Sequence, residues 1–197
     1  MQSGWLKPVF KMTDGEYTVK FGEELTKELE SYSDFQVYYD HGDSSKPNVG
    51  HITPYLRNKP FDSSSTLANV DILITHKTNN VERALILIEI EETKSSPKII
   101  LGDIFNLLLA GSVCFSRNKS LKLDFPLNKT YLIVGVVASS DTNLRKIDYI
   151  FDEIKDLKEQ IKGSVLDMSI GRIELLGDRD LPKLLSRIYS LLTTEIL

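Results

Sequence analysis

Ala84-Leu85-Ile86-Leu87-Ile88-Glu89-Ile90-Glu91 is the stretch that decides how this chain folds. An apolar run of this length describes a strand buried on both faces. Side chains alternate sides along a strand, so Glu89 and Glu91 share one side while Ile88 and Ile90 share the other. Two carboxylates side by side at the end of a buried strand repel each other and resist leaving water. They therefore need a cation or a shared proton. Oxygen-only donors favour a hard ion, Mg2+ or Mn2+.

A second apolar run, Asp71-Ile72-Leu73-Ile74, precedes it across His76 to Arg83, where Asn79-Asn80 signals a turn. The two runs predict an antiparallel hairpin. An odd loop centred on Asn80 sets position 71 opposite position 89 and brings Asp71 to the face of Glu89 and Glu91. A loop centred half a residue away separates them. The odd loop is the expectation, because it gathers three acids where one metal satisfies them. The alternative is a strand leaving the core, with Glu89 to Glu92 marking its solvated end.

The 197 residues fit a single domain, 1–197, and 41% hydrophobic with 26% charged residues is the balance of an ordinary soluble globular protein. The one cysteine, Cys114 between Val113 and Phe115, reads as a buried free thiol, and the lack of a disulfide framework suits a reducing cytoplasm. Neither a signal peptide nor a membrane-spanning stretch is legible, so a cytoplasmic protein without membrane contact is expected. The net charge is −4, from 24 basic and 28 acidic residues, so a polyanion must be held by a local patch. Arg117, Lys119, Lys122 and Lys129 offer one.

Helical spacing runs from Glu16 to Tyr32, followed by a strand at Phe35–Tyr39. A long loop, about 41–69, then carries His41, Lys46, His51, Arg57 and Lys59, as a clamp over a substrate or as disorder. Ser95-Ser96-Pro97 starts a helix from about Lys98 to Ala110 or beyond, apolar all round except for Asp103 and Asn106. A strand at Tyr131–Val137, a helix striped by Leu144 to Ile161, a strand within Ser164–Leu175 and a helix over Leu181–Leu192 complete the chain. The sum is α/β, a mixed sheet flanked by helices on both faces. No Ser–His or Cys–His elbow, glycine-rich phosphate loop or zinc spacing stands out. His41 and His51 read as loop residues.

A helix, a strand, an Asp-bearing strand, a strand ending in acid-x-acid, a packed helix and a crossover strand together resemble the PD-(D/E)XK nuclease superfamily. The resemblance covers most of the chain and implies a restriction-endonuclease-like fold. Asp71, in Asn69-Val70-Asp71 with Val70 for the usual proline, matches the first acid, and Glu89 the second. Glu91 stands where lysine is usual. The seventeen residues between Asp71 and Glu89 and the Glu-x-Glu ending are similar to the BamHI-like branch of type II restriction endonucleases. The resemblance implies that Asp71 and Glu89, with the carbonyl of Ile90 and with Glu91, hold Mg2+, which Mn2+ replaces. Glu91, or a displaced Lys94 or Lys98, takes the part of the lysine, and Glu24 on the first helix adds a carboxylate. The substrate implied is double-stranded DNA, cut within a restriction-modification system by a homodimer, with Lys46, Arg57, Lys59, Arg117, Lys119 and Lys122 on its phosphates. A structure-specific repair nuclease and a noncatalytic DNA- or protein-binding module of the same fold are the competing readings.

Overall fold

Seven consecutive residues, Ala84 to Ile90, are buried in strand β4 (Val81–Glu91), as a strand covered on both faces requires. They lie in a computed structural model that describes residues 15–91, 97–116, 118–124, 130–136, 149, 152, 153, 172–177, 186, 188–190 and 192. The remaining elements are α1 (Glu16–Leu29), β1 (Phe35–Tyr39), β2 (Ile52–Leu56), β3 (Ile72–Thr78), α2 (Pro97–Leu109), β5 (Ala110–Phe115), β6 (Asn118–Asp124), β7 (Tyr131–Val136) and β8 (Arg172–Gly177).

Five strands form one sheet in the order β1-β3-β4-β7-β8. The first two pairings are antiparallel and the last two parallel, so the sheet is mixed. Its faces are closed differently. On one, Phe21, Leu25 and Leu29 of α1 recur every four residues and pack with Ile72, Ile74, Ile86, Ile88 and Ile90, joined by Ile188 and Leu192. Gly22 lets this helix lie on the sheet, since a Cβ there would overlap the Tyr39 ring. On the other face Ile100, Ile104 and Leu107 of α2 pack with Leu73, Leu87, Leu132 and Val134. A second, antiparallel sheet of order β2-β5-β6 lies on this same side through Ile52, Val113, Phe115 and Leu123.

Several expectations change. The 41–69 region contains β2 and is tied down by bridges at Tyr39–Val49, Ile52–Val70 and Tyr55–Thr66, so it is neither a free clamp nor disordered. The helix after Pro97 stops at Leu109 and passes directly into β5. Cys114 is a free thiol but half-buried. The strand expected within 164–175 is observed at Arg172–Gly177; most of the helices expected over 144–161 and 181–192 lies outside the described residues. Among the described residues no helix is long and apolar enough to cross a membrane.

The hairpin holds the most consequential correction. Thr78 pairs with Val81, so Asn79 and Asn80 form a two-residue turn, both with positive φ (52° and 63°), the mirror-image geometry that matches strand twist. The loop is thus even rather than odd. A β-bulge compensates: Ile74 pairs with Ile86 but Thr75 with Ala84, leaving Leu85 as the extra residue. Leu85 and Ile86 consequently both join the α1 side of the core, while Ala84 and Leu87 join the other. Beyond the bulge, Ile72 faces Ile88, and the next step sets Asp71 opposite Glu89 as expected.

Candidate active site

Strand register draws three acids into a row. Tyr39 pairs with Ile72, so one step on Asp40 faces Asp71, and the Asp40 main-chain N–H donates to the Asp71 carbonyl at 2.9 Å. Asp71 in turn faces Glu89. By alternation all three belong to the side of Tyr38, Leu73 and Leu87, the side covered by α2. Neighbouring strands lie about 4.8 Å apart, so the row spans ~10 Å. Glu91 follows at the carboxyl end of β4, beside its parallel neighbour β7, the edge at which open α/β sheets bind ligands.

Asp71 and Glu89 are locked to each other's backbones. The Asp71 carboxylate accepts the Ile90 N–H at 2.7 Å, and the Asp71 main-chain N–H donates to the Glu89 carboxyl. Glu89 is only 8% exposed. Burial pushes its carboxyl well above the usual carboxylate range, and the charges of Asp71, Asp103 and Glu91 push it further, against a smaller lowering by the Asp71 N–H. Asp103 comes from α2, and its carboxyl is pushed up to about 6, first by burial and then by Glu91 and Asp71.

Four carboxylates, two from β4, one from α2 and one from the residue before β3, therefore act on one another. Sequence reasoning named Asp71, Glu89 and Glu91 but passed over Asp103. Its signal was present: an acid on a helix otherwise apolar all round, one residue before the buried Ile104. Among the described residues no group of three or more His, Cys, Asp or Glu side chains stands ready to hold a metal ion. A cation would compete with the Ile90 N–H for the Asp71 oxygen. In chemistry and charge the donor set fits a hard divalent ion, because all its donors are carboxylate oxygens that repel one another without one.

The other candidates are placed as follows. The Ile90 side chain is buried on the α1 side, and its N–H serves Asp71. Glu24 rides on α1, across the sheet from the acids; there the Tyr189 hydroxyl is pushed up first by burial and then by the charges of Glu28 and Glu24. Lys98 is exposed and, at 100° per residue, about 140° around α2 from Asp103. Lys94 and Arg117 lie outside the described residues. Lys119 and Lys122 stand on β6. Lys46 is paired with Glu23 at 2.6 Å, and Lys59 is exposed. Arg57 serves the scaffold instead. Its guanidinium donates to the carbonyls of Leu108 (3.1 Å) and Ala110 (3.4 Å), and its N–H to that of Leu109 (3.2 Å). It closes the C-terminus of α2, whose last carbonyls have no partners within the helix. His51, read as a loop residue, is hydrogen-bonded through Nδ1 to Asp40 Oδ2 at 2.9 Å.

No protein-family model, curated protein or solved structure matches this chain.

Proposed function

We propose that the protein is a Mg2+-dependent endonuclease that hydrolyses phosphodiester bonds of double-stranded DNA, in the manner of type II restriction endonucleases. The observation that carries this reading is the meeting of Asp71, Glu89, Glu91 and Asp103 at the carboxyl end of β4, with Glu89 buried among the other charges. The element order supports it: α1, β1, the strand that Asp71 precedes, the strand ending in Glu89-Ile90-Glu91, α2 and the parallel β7 follow one another in the order the resemblance implies, with β2 and then β5 and β6 interposed.

Asp71 and Glu89 would hold Mg2+ or Mn2+, with Asp103 and Glu91 adding negative charge beside them. When bound, the ion polarises the phosphodiester and lowers the pKa of a water. Glu91, half-buried at the strand end, accepts the proton of the attacking water as general base. The bonds between Asp71, Glu89 and the main chain fix the carboxylates before substrate arrives, so little reorganisation remains. Lys59, Lys119 and Lys122 supply salt-sensitive attraction for the phosphate backbone of a chain that is acidic as a whole. A homodimer would match its two-fold axis to that of a palindromic site.

The test is a digest of long duplex DNA by the full chain, with Mg2+, Mn2+ or EDTA, beside Asp71→Ala. Discrete bands that need the metal and vanish in the variant are expected. DNA left intact with both metals would refute the reading.

A further inference from the structure

We propose that His51, held by Asp40, is the proton donor to the leaving 3′ oxygen at this carboxylate site; the inference rests on the nuclease reading above. Three observations lead there. The first is the pair itself. The Asp40 side chain is only 10% exposed, and both its oxygens are engaged: Oδ2 with His51 Nδ1 at 2.9 Å and Oδ1 with the His41 N–H at 2.8 Å. A carboxylate only accepts, so Nδ1 carries the hydrogen and the ring presents Nε2 outward.

The second is that His51 is fixed at its base and open at its tip. Its carbonyl accepts the Ser116 N–H at 2.9 Å, and the carbonyl of the next residue, Ile52, accepts the Val70 N–H at 2.9 Å. Its side chain is nevertheless 67% exposed. Main-chain pairing of β2 with β5 and with Val70 thus fixes the base of the ring, and Asp40 its orientation, while the second nitrogen stays open to solvent.

The third is position. Asp40 stands on the β1 side of Asp71, while Glu91 stands on its β4 side, two residues along the strand from Glu89. In-line displacement at phosphorus places entering and departing oxygens on opposite sides, so a base and an acid must approach from opposite directions. Glu91 and His51 do. The water oxygen bonds to phosphorus as its proton passes to Glu91. The bond from phosphorus to the 3′ oxygen breaks with its electron pair going to that oxygen, which takes the proton from Nε2 of the imidazolium. A 3′-hydroxyl and a 5′-phosphate result. The neutral ring keeps its Nδ1–H on Asp40 and regains its proton from solvent.

The experiment uses the full chain with Mn2+ on two duplexes that differ only at the mapped cut position, one with the ordinary linkage and one with sulfur for the bridging 3′ oxygen. A thiolate departs without a proton, so the sulfur duplex dispenses with the acid. His51→Gln is expected to lower kcat on ordinary DNA about 100-fold with KM almost unchanged, and to cut the sulfur linkage nearly as fast as wild type. Asp40→Asn, which keeps an acceptor for the His41 N–H, follows the same pattern more weakly. Glu89→Gln is slow on both duplexes. Equal losses of His51→Gln on both linkages, or a rise in KM alone, would overturn the proposal while leaving the nuclease reading intact. A wild-type protein that cuts neither duplex overturns both.

Discussion

Replacing Asp103 by Asn tests whether the carboxylates burden one another as the structure implies. A carboxyl that titrates near 6 in the folded protein and at 3.8 in the unfolded chain favours the protonated folded state. At about 1.4 kcal/mol per tenfold, its full ionisation costs the fold roughly 3 kcal/mol, and partial exposure to solvent reduces that to ~1.5 kcal/mol. The sign follows from proton counting. Below pH 3.8 the group is protonated in both states and costs nothing. Between 3.8 and about 6 the folded state binds the extra proton, so stability falls as pH rises, and the loss is complete above that window. Urea or thermal melts in EDTA are the assay. Asp103→Asn should gain ~1.5 kcal/mol at pH 8, about 3–6 °C in Tm for a chain of this size, and nothing at pH 3.5. Mg2+ should stabilise the wild type more than the variant, since the variant brings one negative charge fewer. A variant no more stable than wild type at pH 8 in EDTA would refute the reasoning.

Other substitutions probe the scaffold. Arg57→Ala should lower stability by about 1.5–3 kcal/mol in urea, by stripping the end of α2 of its donors, while the salt dependence of DNA affinity stays the same. Gly22→Ala sets a helix-propensity gain of up to ~1 kcal/mol against overlap with the Tyr39 ring of about 1–3 kcal/mol, so Tm should fall; a rise would show that the ring yields freely. Asn80→Gly relieves a positive φ at the second turn position and should raise Tm by roughly 1–3 °C in a thermal melt.

Alternation was enough to place Glu89 and Glu91 on one face, and the turn at Asn79-Asn80 was enough to pair their strand with Asp71. The means of alignment was hidden. Ala84 to Ile88 is apolar at every position, so nothing in its pattern reveals that Leu85 is an extra residue. The second sheet was hidden for another reason. Pro54 argues against a strand, yet β2 is an edge strand whose residue 54 offers its carbonyl outward to the Leu67 N–H, where no donor is needed toward β5. Asp103 and the Asp40–His51 pair depend on contacts between distant elements, and a period within one element carries no trace of them. Arg57 looked like a phosphate ligand because a positive charge in a polar loop gives no hint of a helix end beside it.

The bulge at Leu85 also divides the hairpin into two separately phased halves. The turn end obeys the even count of a two-residue loop, and the acid end obeys the odd count that chemistry there needs. Removing Leu85 would leave a regular ladder in which Ile74 still faces Ile86 and Asp71 still faces Glu89, and moving the extra residue into the turn would keep the same pairing. Drawing Leu85 into the ladder with no residue removed would instead set Ile88 opposite Asp71 and turn Glu89 to the α1 side of the sheet. Homologous hairpins are therefore free to exchange a bulge for a longer turn, and their sequences would align with offset gaps although their carboxylates superpose.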